Sequence, residues 1–192
     1  MTKRTILTIN DPRLRQKAKR VKQFTPSLKK LAQDMLETMR SSEGVGLAGP
    51  QVGVMQRIFV AEIPLPKDPD AEPHPQSGRF YVLVNPEIVK SAAVRVEGKE
   101  GCLSIPDLKG LVERPEWVEV RAQDLEGRRF KLKVDDLLGR IFQHEIDHLN
   151  GILYLDHITD PAKLWRVTDE AEAIEATEPG TRQPAAEYAS PV

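Results

Sequence analysis

The chain has 192 residues, of which 40% are apolar and 30% are charged, and its formal net charge is −1. These values are typical of one globular domain with a sizeable core, with or without a tail. They argue against an integral membrane protein, because no apolar run approaches the ~20 residues of a membrane-spanning helix. A single cysteine, Cys102, excludes an intramolecular disulfide framework. Together with the absence of an apolar signal core near the N-terminus, this predicts a cytoplasmic protein.

The first clear helix signal lies in "TPSLKKLAQDMLETMRSSEG", residues 25–44. Thr25 is suited to cap this helix, and Pro26 suits its first position. The apolar residues recur with helical spacing at Leu28, Leu31, Met35, Leu36 and Met39. The next stretch, "GVGLAGPQVG", contains four glycines and a proline, which predicts a loop rather than a regular element.

Five later stretches predict strands: "RIFVAEI", "RFYVLVNPEIV", "AAVRVEGKEGCLSIP", "WVEVRAQD" and "RRFKLKV". A proline-rich segment, residues 64–78, separates the first two and predicts an exposed loop. A second helix is expected from Asp136, capped by Asp135 or Asp136 and ended by Gly151. Strands followed by one late helix indicate an α+β fold rather than alternating α/β.

The charge is unevenly distributed along the chain. Residues 169–192 contain six acidic residues and one basic residue, whereas the remaining 168 residues carry an excess of four basic ones. A segment of this composition has little apolar surface to bury. We therefore predict a main domain at 1–168 and an acidic, flexible tail at 169–192. The basic excess is interpreted as a solvated face, with weak attraction to nucleic acid as the minority alternative.

The stretch "QHEIDHLNG" contains the pattern His-Glu-x-x-His at His144, Glu145 and His148. On a helix, side chains four residues apart share a face, so both imidazoles can reach one metal ion while Glu145 stands beside it. A catalytic metal of this kind needs a third protein ligand and an open position for water.

The third ligand has several candidates. Tyr154 occupies the position where one class of zinc peptidase carries a third histidine, and His157 lies three residues beyond it. Glu170 is a downstream carboxylate within the predicted tail. The better candidate is Cys102, which ends a predicted strand just before a turn bounded by Pro106, because a thiolate is a strong ligand for a borderline-soft metal.

Three stretches, in order, resemble the signatures of the peptide deformylases. They are "GVGLAGPQ" (44–51), "EGCLS" (100–104) and "QHEIDH" (143–148), with Gly49 standing where the family pattern has alanine. The resemblance covers residues 1 to about 168 and not the tail. It implies antiparallel β-sheets packed around a C-terminal helix that carries the His-Glu-x-x-His motif, with an N-terminal helix.

The resemblance also implies the activity and the roles of individual residues. The family removes the N-formyl group from the methionine of nascent polypeptides by attack of a metal-activated hydroxide on the formyl carbon. The expected metal ligands are Cys102, His144 and His148, and Glu145 is the expected general acid/base. The Gln51 side chain and the Leu103 backbone N–H are expected to form the oxyanion hole.

The substrate peptide is expected to lie as an added strand near Val45, Gly46 and Gly101. Candidates for the methionine pocket are Val45, Leu137, Ile141 and His144, with the alternative that Leu137 and Ile141 are only core residues. Asp147 faces another way on the helix and is expected to pair with Arg114, which would anchor the metal helix.

The family implies one Fe²⁺ per chain in the cell, with Zn²⁺, Ni²⁺ or Co²⁺ as alternatives in purified protein. The expected partner is an N-formylmethionyl nascent chain in a bacterial-type cytoplasm, without specific nucleic acid or membrane, and transient ribosome association stays open. Two other functions also stay open. One is a metallopeptidase or amidase with a third ligand other than Cys102, and the other is a non-catalytic binding protein on the same fold.

Overall fold

The computed structural model describes residues 2–167, so the predicted tail at 169–192 lies outside the described residues. Within that range the chain forms two α-helices and eight strands. The helices are α1 (Pro26–Ser41) and α2 (Asp136–Leu149). The strands are β1 (Gly46–Ala48), β2 (Ile58–Glu62), β3 (Phe80–Ser91), β4 (Arg95–Cys102), β5 (Ile105–Pro115), β6 (Trp117–Gln123), β7 (Arg129–Asp135) and β8 (Leu164–Arg166).

The strands form two antiparallel sheets. One sheet has five strands in the order β1-β2-β3-β6-β7, and the other has three in the order β4-β5-β8. The helix α2 packs on the five-stranded sheet through an apolar face that includes Ile141, Phe142 and Leu149. The predicted α+β class and the central position of the late helix are confirmed.

Strand β2 is buried on both faces, which explains its unbroken apolar sequence. Ile58 and Val60 pack in the core beneath α1, whereas Phe59 and Ala61 pack in the core beneath α2. Alternate side chains of a strand point to opposite faces, so one short strand serves both helices. The five-stranded sheet therefore separates the two helices.

The N-terminal helix forms where its apolar spacing predicts. Leu28, Leu31, Met35 and Met39 are buried against the sheet, and Leu36 is partly buried. Thr25 occupies the N-cap position, but its hydroxyl contacts Ser27 Oγ at 2.6 Å and makes no capping bond to the helix backbone. At α2, Asp135 is the N-cap residue and likewise makes no side-chain capping bond.

The prediction of a loop for the glycine-rich stretch is wrong in part. Gly46–Ala48 forms strand β1, which pairs antiparallel with β2, and Gly49–Val52 forms a 3₁₀-helix. Local composition favours a loop here, but the backbone groups of β1 find partners on a strand that lies ten or more residues away in sequence. The result is a buried edge strand beside α2.

Cys102 ends strand β4 at the tip of a hairpin. Gly101 pairs with Lys109 and Cys102 pairs with Ile105, so three residues of β5, Pro106 to Leu108, bulge out of the ladder. The tight turn after Cys102 was predicted, but the long strand β5 that follows it was not. The bulge interrupts the alternation of apolar residues by which a strand is recognised.

Arg57 ties the end of α2 to the sheet. Its Nη1 donates to Leu149 O at 3.1 Å and to Asn150 Oδ1 at 2.9 Å, and its Nη2 donates to Pro86 O at 3.1 Å. Burial lowers the pKa of this guanidinium from its ordinary value. The helix ends at Leu149 with Asn150 as its C-cap residue, and Gly151 follows with φ of +76°, a conformation that glycine adopts readily. None of the helices within 2–167 is long and apolar enough to cross a membrane.

We predict that Arg57→Met lowers the free energy of unfolding by about 2–4 kcal/mol, because it leaves buried carbonyl oxygens without their charged donor. Urea unfolding followed by circular dichroism measures the change. The matched control is Arg121→Met, an exposed arginine whose side chain pairs with Glu87 at the surface, which should leave the urea midpoint nearly unchanged. Equal midpoints for the two variants would contradict the role assigned to Arg57.

Candidate metal centre and substrate cleft

The tip of the β4–β5 hairpin meets the middle of α2, and this contact brings Cys102, His144 and His148 together. One ligand atom from each of the three residues lies within 4.8 Å of the other two. The Cys102 Sγ atom is 3.2 Å from His148 Nε2, and the two imidazole rings have centroids 4.9 Å apart. The helical spacing of the histidines and the turn after Cys102 together produce this cluster.

The other candidates for a third ligand are occupied elsewhere or lie outside the described residues. His157 Nε2 is 2.8 Å from Asp147 Oδ2 and faces that carboxylate rather than the cluster. Tyr154 stacks on His144 with ring centroids 6.0 Å apart, and its hydroxyl donates to Leu108 O at 2.9 Å. Glu170 lies outside the described residues. Tyr154 thus supports a histidine of the cluster from the position where other enzymes carry a ligand.

Glu100 begins the Glu-Gly-Cys-Leu-Ser stretch, and the sequence alone predicts no separate role for it. Its side chain is buried and accepts a bidentate pair from Arg114, with Nε to Oε1 at 2.8 Å and Nη2 to Oε2 at 3.0 Å. His144 Nδ1 donates to Oε2 at 2.9 Å, which leaves the other ring nitrogen for a metal. Burial alone would raise the pKa of Glu100, but Arg114 and His144 lower it well below its usual range.

The predicted pair between Asp147 and Arg114 is present, with Asp147 Oδ2 and Arg114 Nη1 2.5 Å apart. Arg114 is 4% exposed and contacts carboxylates from both β4 and α2. It therefore connects the strand that carries Cys102 to the helix that carries the histidines. A buried arginine is favourable only when it is paired in this way.

Glu145 lies against Gly46 on strand β1, so close that a Cβ atom at position 46 would collide with the carboxylate. The Glu145 side chain is 3% exposed, and its Oε2 atom has no hydrogen-bond partner within residues 2–167. Burial raises the pKa of Glu145 to about 7, and the nearby histidines oppose the rise. A buried carboxylate with an unpaired oxygen is poised to bind a water molecule or a substrate proton.

Gln51 is fixed with its amide nitrogen directed toward the cluster. Its Oε1 atom accepts a hydrogen bond from Ala48 N at 2.7 Å, while Nε2 lies 3.2 Å from Ser104 Oγ and 3.5 Å from Cys102 Sγ. Leu103 follows Cys102 in the hairpin turn and lines the cavity that opens beside the cluster. The Gln51 amide is thus a donor held in place before any ligand arrives.

A cavity of about 480 Å³ opens beside the cluster. Both edge strands contribute to its lining, β1 through Gly46 and β4 through Lys99 to Cys102. All six residues predicted to contact substrate line it, namely Val45, Gly46, Gly101, Leu137, Ile141 and His144. Leu137 is 40% exposed and is not part of the core clusters, whereas Ile141 is 5% exposed and belongs both to the core and to the cavity wall.

The donor set fits a divalent metal ion. Burial would raise the pKa of the Cys102 thiol, but His148 and His144 lower it well below its ordinary value, so a thiolate is favoured there. One thiolate and two imidazoles leave a fourth, open position in tetrahedral geometry. The unpaired oxygen of Glu145 and the amide of Gln51 lie next to that centre.

An antiparallel α+β fold with a Cys-His-His cluster and an adjacent helical glutamate defines a metallohydrolase. A family model described as "Polypeptide deformylase" matches residues 3–164. The chain therefore belongs to the polypeptide deformylase family, whose members are metal-dependent.

Individual relatives agree with this assignment. The peptide deformylase of Thermomicrobium roseum is 46% identical over 181 residues, which cover 94% of this chain and 100% of that protein. A crystal structure of peptide deformylase from Thermotoga maritima matches with a TM-score of 0.75 and 36% identity, over 83% of this chain and 100% of that one. A Met-Ala-Ser-bound peptide deformylase structure from Acinetobacter baumannii matches with a TM-score of 0.74 and 36% identity, over 82% and 99% of the two chains.

We predict that Glu100→Gln weakens binding of Zn²⁺ by roughly 10–100-fold, because the amide no longer holds His144 as a carboxylate does. Competition with a chromogenic chelator measures the affinity. The matched control is Glu113→Gln, an exposed glutamate on the neighbouring strand, which should keep the wild-type affinity. If Glu100→Gln also keeps that affinity, Glu100 does not orient His144 for metal binding.

Proposed function

We propose that this protein removes the N-formyl group from the N-terminal methionine of newly synthesised polypeptides and releases formate. The observation that carries the proposal is the position of Glu145, which faces both the Cys-His-His cluster and the backbone edge of β1 at one cavity. Membership of the deformylase family supports the same reaction. The alternative with a third ligand other than Cys102 finds no support in the positions of His157 and Tyr154.

The cleft is suited to an extended peptide. Strands β1 and β4 each lie at the end of their sheet's strand order, so each has an edge that a peptide can extend through main-chain hydrogen bonds. We assign this contact to Val45 and Gly46 on one side and to Gly101 on the other, and all three line the cavity. The related Acinetobacter baumannii deformylase binds Met-Ala-Ser, a peptide that begins with methionine.

We assign Leu137 and Ile141, which project from α2 into the same cavity, to the pocket for the methionine side chain. They follow the helical spacing that ends at the metal histidines, so side-chain binding and chemistry are held by one rigid element. An unbranched thioether can adapt to an apolar pocket of irregular shape. The methionine is thereby held with its formyl group toward Glu145.

We assign Cys102, His144 and His148 as the ligands of one divalent ion, which is Fe²⁺ in the cell, with Zn²⁺, Ni²⁺ or Co²⁺ as alternatives in purified protein. When bound, the ion supplies Lewis-acid chemistry, which acidifies water and polarises a carbonyl oxygen. The chemistry of the donors supports this assignment, since thiolate and imidazole suit all four metals. Glu100 and Tyr154 hold the His144 ring in place while this occurs.

Two groups of the protein act on the reacting amide. Glu145 accepts a proton from the attacking water and passes it to the departing amine, for which its buried, unpaired carboxylate oxygen is suited. The Gln51 amide and the Leu103 backbone N–H stabilise the negative charge that develops on the formyl oxygen. The fixed orientation of the Gln51 amide supports this role, because a donor that is already aligned costs no reorganisation during the reaction.

The proposal is tested with three related peptides: one that begins with formyl-Met, one that begins with acetyl-Met, and a longer peptide with a free N-terminus. The backbone of Gly46 lies directly against the Glu145 carboxylate, so the space beside the catalytic group is narrow. We predict that wild-type protein releases formate much faster than acetate, because the hydrogen of a formyl group needs less of this space than the methyl of an acetyl group. Glu145→Gln should keep its metal while kcat falls by roughly 10²–10⁴, the usual contribution of a positioned acid/base. Formate assay and metal analysis are made on the same anaerobic sample.

The control variant is Glu126→Gln, an exposed glutamate that pairs with Lys29 away from the cleft and should keep wild-type kcat. Cleavage of internal peptide bonds at a rate rivalling formate release would overturn the deformylase proposal. Full activity in Glu145→Gln would overturn the assigned role of that residue and leave the reaction itself standing.

We further propose that the enzyme meets nascent chains in a bacterial-type cytoplasm, in transient association with the ribosome.

We also propose that residues 1–168 form the catalytic domain and that residues 169–192 are dispensable for chemistry. The family match ends at residue 164, and every residue assigned to metal binding, substrate binding or catalysis lies between positions 45 and 148. Deleting 169–192 should therefore leave kcat and KM on short formyl-Met peptides nearly unchanged. A large fall in kcat would show that the tail helps to form the site.

A further inference from the structure

A second, larger cavity lies next to the cavity assigned to substrate, and the side chain of Arg140 lines both. The second cavity has a volume of about 730 Å³ and lies between β4, the start of α2 and the turn from β5 to β6. The two cavities share three lining residues, Lys99, Leu137 and Arg140. Lys99 and Leu137 are exposed and lie at the rim, whereas the Arg140 side chain is only 15% exposed. Arg140 is therefore the inner partition between the two spaces.

The partition is rigid, because four acceptors fix the guanidinium. Nη1 of Arg140 donates to Val112 O at 2.8 Å, to Glu100 Oε1 at 2.9 Å and to Gly98 O at 3.4 Å. Nη2 donates to Val96 O at 2.8 Å. These acceptors belong to two paired strands, so the side chain cannot swing aside without losing several charge-assisted hydrogen bonds at once.

A glycine in β4 provides the space for this arrangement. A Cβ atom at position 98 would lie 2.6 Å from Nη2 of Arg140 and 2.7 Å from its Cζ, which is closer than atoms approach without displacement. Gly98 thus allows the flat guanidinium to lie directly on the strand backbone. The partition depends on the pairing of these two residues, one on β4 and one on α2.

We propose that Arg140 sets the length limit of the methionine pocket by closing it against the second cavity. This inference rests on the proposed function, since it assigns a specificity-determining residue to the pocket that receives the first side chain. A methionine side chain ends before the partition, and a longer unbranched chain must displace the fixed guanidinium. Removal of the Arg140 side chain beyond Cβ joins the two cavities and gives a longer substrate side chain a continuous path.

The test compares formyl-Met-Ala-Ser with an analogue in which α-aminooctanoic acid replaces methionine, so that the first side chain is unbranched and two heavy atoms longer. The variants are Arg140→Ala, which removes the partition, and Arg140→Met, which removes the charge and its hydrogen bonds but keeps an unbranched side chain that still fills part of the partition. Both lose the contact with Glu100, so absolute rates can fall in both. The informative quantity is the ratio of kcat/KM for the long substrate to that for the methionine substrate.

We expect Arg140→Ala to raise this ratio by at least about tenfold over wild type, the usual discrimination for a methylene or two in an apolar pocket. Arg140→Met should raise the ratio less than Arg140→Ala does, because its side chain still occupies part of the partition but is no longer held by hydrogen bonds. An unchanged ratio in Arg140→Ala, or an equal rise in both variants, would overturn the proposal. If Arg140→Ala does not fold by circular dichroism, Arg140→Val, which also ends short of the partition, takes its place in the comparison.

Product binding separates this inference from the proposed function. Calorimetry with the zinc-loaded protein measures the affinities of unformylated Met-Ala-Ser and of its aminooctanoic analogue without any turnover. The affinity ratio should change in the same direction and by a similar factor as the kinetic ratio. If wild-type protein binds both peptides but releases no formate, the proposed reaction fails while the partition is still judged by the binding ratio. If the binding ratio is unaffected by Arg140→Ala, the partition fails regardless of activity.

Discussion

One buried carboxylate, that of Glu100, joins the parts of the molecule that must meet for the site to exist. It lies on β4 two residues before Cys102 and receives hydrogen bonds from Arg114 on β5 and from Arg140 and His144 on α2. Without these partners, burial of its charge would be strongly unfavourable. Two arginines and a histidine make the burial favourable, and they can do so only when the hairpin lies against the helix. The position of Cys102 relative to the histidines follows from that contact.

The side of helix α2 that faces the hairpin presents residues with three different functions. Arg140, His144 and Asp147 follow one another at helical spacing, and each contacts the hairpin or its arginine. The opposite side of the helix packs into the apolar core over the five-stranded sheet. A small rotation of α2 would therefore displace the metal histidine, the ion pair and the pocket partition together. Arg57, which binds the carbonyl end of the helix, opposes such a rotation.

The sequence was most informative where chemistry restricts residue type. Cys102, His144, Glu145 and His148 could be named because few other residues bind or activate at a metal centre, and the structure brings these four together. The pairing of Asp147 with Arg114 was likewise predicted.

What the sequence did not reveal depends on contacts between distant segments. Strand β1 lies in a glycine-rich stretch whose pairing with β2 leaves no local signal, and the bulge hides β5. The role of Arg140 depends on Gly98, which looks like an ordinary strand glycine until the helix is placed above it.

The proposed metal centre has one thiolate and two imidazoles that bind a single divalent ion at the contact between hairpin and helix. X-ray absorption spectroscopy of the zinc-loaded, full-length protein tests it most directly. We predict one sulfur ligand at about 2.3 Å and two nitrogen ligands at about 2.0–2.1 Å in the first coordination shell. A shell of nitrogen and oxygen alone, with Cys102 still accessible to a thiol reagent after zinc binds, would contradict it.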